Sequence, residues 1–338
     1  MPAVSVVMPY FNSANTIEEA LDSLSHQTLT DFEVIAVDDG STDDSRRILE
    51  EWAHRDDRIV PISQPHQGII KALNQGLVAS RAPYVARMDA DDWCHPDRLA
   101  HQADFLNTHP EVSVVGSLVS GFPEGQVRKG FRIYLNWLNS LVTDEDIRRE
   151  IFIESPFAHP SVMFRLEHIQ QLGGYQEFGW PEDYDLWLRL YCSGAHFGKL
   201  PQVLLKWREH PKRLTRTDGR YSLENFLRTK AHYLAKGPLD GRDAVMIWGA
   251  GMVGRRISKY LLRQSIPLAV FVDIDTQKIG RTRRGLPIIP PGDLPPWWER
   301  YENPAVLAAV GARGARTLIR SQLQSFGLKE GRDWWGVA

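Results

Sequence analysis

Tyr84-Val85-Ala86-Arg87-Met88 runs directly into Asp89-Ala90-Asp91-Asp92. The first five residues read as a short buried strand, and the next four deliver a cluster of carboxylates to its carboxyl end. In open α/β sheets, ligands bind outside the carboxyl ends of the strands. Hard carboxylate oxygens at this spacing suit Mg²⁺ or Mn²⁺, and such an ion usually completes its shell with substrate phosphates. The first expectation is therefore a nucleotide-diphosphate site. An acidic turn capping a helix after Pro96 would use the same residues, so the surrounding sequence has to decide.

Upstream, residues 4–8 read as a strand that breaks at Pro9, residues 16–24 have helical spacing, and Phe32-Glu33-Val34-Ile35-Ala36-Val37 leads into Asp38-Asp39-Gly40-Ser41. This β-α-β alternation implies a parallel sheet with helices on its faces. Three strand ends, at 9–12, 38–41 and 89–92, then converge on one edge.

These segments resemble the family 2 inverting nucleotide-sugar glycosyltransferases with the GT-A fold. The matching stretches are 6–12, 37–43, 68–76, 87–92, Pro96-Asp97-Arg98-Leu99, His159-Pro160-Ser161-Val162-Met163-Phe164-Arg165, Gly173-Gly174-Tyr175 and Glu182-Asp183-Tyr184-Asp185-Leu186-Trp187. They occur in the family's order and cover residues 1 to about 220. What the resemblance implies is specific. Asp38 and Asp39 match the position that pairs with the base edge, with UDP as the default donor and GDP or dTDP as alternatives. Asp89 looks toward the ribose and Asp91 toward the metal bridging the diphosphate. Pro9, Tyr10, Asn12, Lys71 and Asn74 fall in the donor-binding stretches. Asp92 reads as the cap of the following helix.

On the acceptor side, Asp183 matches the general base that deprotonates the acceptor hydroxyl, and Glu182 its orienting partner; acidic residues starting a helix would look the same. His159 resembles a position near the donor sugar, although a histidine bonded within the structure fits equally. Trp180 could floor a sugar ring, whereas Trp187 has the spacing of a core stripe. The segment 207–215 resembles the family's closing segment, in which His210 can reach the metal. Lys206, Arg208, Lys212, Arg213, Arg216 and Arg220 make that segment cationic, as a site facing a leaving diphosphate would be.

Composition limits the alternatives. With 338 residues, 43% apolar and 24% charged, the chain can bury two cores. A net charge of −2 gives no global attraction for nucleic acid. Two cysteines, Cys94 and Cys192, lack metal spacing and point to a reducing, cytoplasmic setting. Neither a leader-like opening nor an apolar run long enough to span a bilayer is found, so any membrane association is expected to be peripheral, at the inner face, if the acceptor is a lipid-linked glycan. Trp137, Leu138 and Leu141 with Arg128, Lys129 and Arg132 could form such a patch, but helical spacing favours core packing.

Residues 235–241 have linker composition and set the expected domains at 1–238 and 242–338. In the second, strand 244–248 precedes Gly249-Ala250-Gly251-Met252-Val253-Gly254, a helix follows, and Asp273 ends the next strand. This order resembles a mononucleotide-binding Rossmann half, with Gly249, Gly251, Gly254 and Asp273 as candidate contacts. A packing or homo-oligomer module with an empty glycine turn reads equally well. Under 100 residues remain, too few for the two halves that clasp a dinucleotide. A nucleotidyltransferase would share the sheet and carboxylates but should carry a glycine-rich basic loop after strand 1. A non-catalytic sugar-nucleotide sensor would need no Glu182-Asp183 pair.

Overall fold

The computed structural model describes all 338 residues. Packing divides the chain into two compact units, one formed by residues 1–147, 156–178 and 182–217, the other by 148–155, 179–181 and 218–338. The helix Leu223–Lys236, on the N-terminal side of the expected boundary at 238, packs on Met252–Arg263 and belongs with the second unit. Composition marks the glycine-rich turn that follows that helix, whereas packing follows its apolar face.

The first unit is built on β1 (Val4–Tyr10), β2 (Phe32–Asp38), β3 (Ile59–Ser63), β4 (Tyr84–Arg87), β5 (Trp93–Cys94), β6 (Val112–Phe122), β7 (Met163–Arg165) and β8 (His196–Arg208). They form one eight-stranded sheet in the order β3-β2-β1-β4-β7-β6-β8-β5. The four strands β3, β2, β1 and β4 run parallel, as the β-α-β pattern implies. β7 and β5 run antiparallel to their neighbours, so the sheet is mixed. Every residue of β1, β2 and β4 is buried, which is why these strands read as apolar runs rather than alternating ones. Ile17, Ala20, Leu21 and Leu24 of the helix Ile17–Ser25 cover part of this core. Gly76 lets the helix Ile69–Ala79 close on β1, because a Cβ there would lie 2.4 Å from Val7 Cγ1.

The register of β1 against β2 and β4 brings Tyr10, Asp38 and the residues after Arg87 to one edge. β6 lies parallel to β8 and pairs Phe122 with Arg208. Being antiparallel to β7, which is itself antiparallel to β4, β6 also ends at that edge.

The second unit carries β9 (Ala244–Trp248), β10 (Leu268–Val272), β11 (Thr282–Arg283), β12 (Leu286–Ile289), β13 (Pro304–Ala308) and β14 (Trp334–Gly336), in the order β11-β12-β10-β9-β13-β14. All but β11 are parallel. Trp334 fills the core, and Trp297 and Trp298 pack partly against it.

Candidate active site

Backbone geometry shapes the carboxyl edge of the sheet. The Asp39 carboxylate accepts from Gln67 N (2.9 Å), Gly68 N (2.9 Å) and Gln64 Nε2 (2.7 Å), with His66 Nδ1 at 2.8 Å. Four partners fill its acceptor capacity. Asp39 thus anchors the loop that starts the helix Ile69–Ala79, and a carboxylate there also suits the helix N-terminus. Asp38, 1% exposed, accepts only from Ser41 N (2.9 Å) and faces Arg46. Of the two, Asp38 keeps the spare acceptor capacity.

Asn12 adopts a positive φ of 50°, and its Oδ1 accepts from Thr42 N at 2.8 Å, stitching the first two strand ends together. Pro9 and Tyr10 are buried in β1, where burial raises the Tyr10 phenol above its ordinary range. Beside them the exposed Phe11 ring stacks on His66 with centroids 4.2 Å apart. Lys71 is exposed. Asn74 serves the fold: its side chain accepts from Tyr175 N (2.9 Å) and donates to Tyr175 O (2.8 Å), clamping the Gly173–Tyr175 turn.

After β4, Asp89, Asp91 and Asp92 can each place an oxygen within 4.8 Å of the others. Arg87 pairs with Asp89. Asp91 Oδ2 lies 2.9 Å from His210 Nε2. Asp92 Oδ1 accepts from Arg208 N (2.7 Å), while its Oδ2 is buried without a hydrogen-bond partner. Burial raises Asp89, against the pull of Arg87, and burial with the charges of Asp91 and Asp89 raises Asp92 well above the usual carboxylate range. Asp89 keeps 30% of its side chain open and Asp92 is 1% exposed, so the effect falls mainly on Asp92. Crowded hard oxygens with one orphaned acceptor fit a divalent cation. Asp92 is therefore a member of this cluster more than a cap: the helix Arg98–Thr108 begins further on, at Asp97, with no side-chain cap bond.

Arg208 and Glu209 organise the segment that carries His210. The Arg208 guanidinium donates to Asp91 O (2.5 Å) and pairs with Glu19. Glu209, 2% exposed, holds Arg213 at 3.2 Å and also Arg216, and its N–H donates to Phe122 O (2.7 Å). These arginines are thereby tied to a carboxylate of their own segment. Residues 209–213 form a turn rather than a helix, so the clamp has no signal in the sequence beyond one acid lying close to two arginines.

Glu182 and Asp183 open the helix Glu182–Cys192; Glu182 is buried and Asp183 half-buried. Arg189 fixes this helix by bonding Asp185 (2.8 Å), Leu172 O (2.8 Å) and Gly174 O (2.8 Å). The Tyr175 hydroxyl feels the charges of Arg87, Glu182 and Asp183, and burial raises its pKa. It lies 2.8 Å from His159 Nε2. Burial and Arg87 hold His159 well below its ordinary value, hence neutral. Trp187 is fully buried, as its spacing predicts. Trp180 packs against His232 and Arg228.

In the second unit, Gly249 has φ +116°, and a Cβ on Gly254 would sit 1.8 Å from Gly249 O. Both glycines are demanded by the turn's own packing. Around Gly251 nothing lies within 4 Å of an added Cβ. Asp273 Oδ2 accepts from Ala250 N (2.9 Å) and Lys278 Nζ (3.2 Å). Arg316 pairs with Glu150.

Residues 5–173 match the model of "Glycosyl transferase family 2". The chain is 34% identical to the amylovoran biosynthesis glycosyltransferase AmsE of Erwinia amylovora, over 60% of this chain and 75% of the relative. It is 32% identical to EpsE of Bacillus subtilis (strain 168), which carries a glycosyltransferase name, over 84% of this chain and 97% of the relative. Among solved structures it resembles Staphylococcus aureus TarS 1–349 in complex with UDP-GlcNAc (TM-score 0.58, 20% identity, 78% of this chain and 72% of that one). It also resembles the mannosyltransferase PcManGT of Pyrobaculum calidifontis in complex with GDP-Man and Mn²⁺ (TM-score 0.50, 23% identity, 70% and 62%). With the mixed sheet, its carboxylate edge and these likenesses together, the first unit has the GT-A fold, and the chain belongs to glycosyl transferase family 2.

Proposed function

We propose that the protein is an inverting, divalent-metal-dependent glycosyltransferase that moves a sugar from a nucleotide-diphosphate donor to an acceptor hydroxyl in the assembly of a bacterial surface polysaccharide or related glycan. The observation that carries this reading is the Asp89, Asp91 and Asp92 cluster at the carboxyl edge of the sheet, with its orphaned Asp92 oxygen and with His210 on Asp91. A relative named for amylovoran biosynthesis and structures holding UDP-GlcNAc or GDP-Man support the setting and the donor class. Asp38 would meet the base edge, with UDP the first donor to test, while Asp39 supports the loop beneath it. Phe11 offers an exposed ring beside that edge.

Asp89, Asp91 and Asp92, with His210 beside Asp91, would hold Mg²⁺ or Mn²⁺. An ion held by these residues would supply positive charge against that building on the departing diphosphate, which would favour the transition state over the ground state. Asp183 takes the acceptor proton as the hydroxyl attacks the anomeric carbon from the face opposite the leaving group, which inverts that centre. Buried Glu182 orients Asp183, and the neutral His159 and Tyr175 pair packs the floor between donor and acceptor carboxylates. In the second unit, the open approach at Gly251 would admit a phosphate-bearing ligand to the start of Met252–Arg263.

Donor hydrolysis measured across UDP-, GDP- and dTDP-sugars with Mn²⁺ tests the reading. At least one donor should turn over, EDTA should stop it, and Asp91→Ala should abolish it. Turnover that survives EDTA would refute metal dependence, and no turnover with any donor would favour a sensor.

A further inference from the structure

Residues 122–136 and 206–217 together carry eight lysines and arginines against two carboxylates, in a chain whose net charge is −2. One of the two, Glu209, is buried beneath Arg213 and Arg216, which leaves Glu124 as the acid facing solvent. The two stretches are neighbours in space. The Arg213 guanidinium lies 5.1 Å from the Phe131 ring centroid and 4.1 Å from that of Trp207, and the two rings are 5.5 Å apart.

The helix Lys129–Ser140 sorts its side chains by face. Leu135 and Leu138 go into the core, as does Leu141 just beyond the helix, which removes them from any surface patch. Arg128, Lys129 and Arg132 stand in solvent, and Ile133 among them is 41% exposed. Tyr134, Trp137 and Trp207 are half-buried. In the second stretch, Lys212 and Leu214, the latter 48% exposed, stand in solvent on either side of Arg213, whose guanidinium meets Phe131 of the helix. Exposed apolar side chains are ordinary one by one, and what marks this region is that Ile133 and Leu214 stand beside cations and half-buried aromatic rings. Nucleic-acid phosphates would match the cations but give the apolar side chains nothing to enter. An anionic bilayer surface satisfies both, taking the cations at its headgroups, the apolar tips at the acyl boundary and the half-buried aromatics between.

We infer that the face formed by Arg128, Lys129, Arg132, Ile133, Lys212 and Leu214 docks the protein on an anionic lipid surface. The same 206–217 stretch holds Arg208 and His210, which grip Asp92 and Asp91, so docking sets the carboxylate edge beside the bilayer. A hydroxyl acceptor carried on a lipid would be presented there. The inference does not depend on which donor, if any, is used.

Co-sedimentation of the full chain with phosphatidylcholine vesicles, with and without phosphatidylglycerol, tests it. Binding should require phosphatidylglycerol and should fall steeply between low and high salt. Removing the three helix charges (Arg128→Ala, Lys129→Ala, Arg132→Ala) should lower partitioning about a hundredfold, since each surface cation contributes about fivefold. Ile133→Asp alone should weaken it by about tenfold or more while leaving salt dependence in place. All these positions are exposed, so the melting temperature should not change and serves as the folding control. Failure of the wild type to bind phosphatidylglycerol vesicles at low salt, or equal binding by the triple variant, overturns the proposal. Binding to a labelled DNA duplex that is stronger than to vesicles and insensitive to Ile133→Asp overturns it in favour of a nucleic-acid face.

Discussion

Replacing Glu209 with Gln isolates what holds the His210 segment in place. Glu209 is 2% exposed and its carboxylate faces Arg213 and Arg216, themselves 11% and 32% exposed in their side chains. Glutamine preserves the shape and one acceptor but removes the charge. The charge-assisted hydrogen bond from Arg213 exceeds a neutral one by about 1 kcal/mol, and the ion pair with the half-open Arg216 adds up to about 1 kcal/mol more, so the two together give at most about 2 kcal/mol. The stacking of Arg213 on Trp207 survives the change and sets the upper bound. About 2 kcal/mol is roughly a thirtyfold rise in the population of the released segment. Lys212, Arg213 and Arg216 make the segment cleavable by trypsin once it opens. If opening is fast relative to cleavage, nicking in 210–217 should accelerate by the same factor of about 30. In parallel the KM for the donor should rise while binding elsewhere is unchanged, because His210 loses its place beside Asp91. A nicking rate within about threefold of wild type would show that Glu209 is not the clamp.

Three further outcomes follow from the same geometry. Burial pushes the Lys199 amine down to about 7, and its Nζ donates to Leu138 O (2.7 Å) and Pro156 O (2.8 Å), a demand that a neutral amine meets with its two hydrogens. The folded value lies below the unfolded one, so in this window the unfolded chain binds the extra proton. Stability should therefore rise as pH climbs from about 7 toward 10, by up to about 1.4 kcal/mol per pH unit. Lys199→Met should lose that slope in melts between pH 7.5 and 9.5; identical slopes in the two proteins would refute the assignment. Asp183→Asn should bind donor normally yet lose about a hundredfold or more in transfer, the usual scale of general-base catalysis, whereas turnover within a few fold of wild type would pass the role to Glu182. In the second unit, Gly254→Ala should cost about 2 kcal/mol or more, because its Cβ meets backbone at Gly249 O, while Gly251→Ala should melt as wild type does; the reverse order would contradict the turn described.

How much of this was legible beforehand depends on whether a feature is local. The strands 4–10, 32–38 and 84–87 announce themselves as apolar runs because they are buried on both faces. The carboxylate cluster and the order of motifs are likewise written in short stretches. Asn74, by contrast, falls in a donor-like stretch yet bonds the backbone of Tyr175, 101 residues away. Asp38 and Asp39 are adjacent and identical in type, and their different environments are decided by a loop at 64–68 that meets the Asp39 carboxylate but only the backbone carbonyl of Asp38. Arg208 shows only its charge in the sequence, while its bonds to Asp91 and Asp92 span 117 and 116 positions. Local pattern thus identifies which chemistry the edge can hold, because carboxylates at a strand end need no partner to be recognised. Long-range hydrogen bonding decides which of two like residues remains available to a ligand. Asn74 and Asp39 both lie in stretches matched to donor binding, and in the fold their side chains already hold bonds to Tyr175 and to the 64–68 loop.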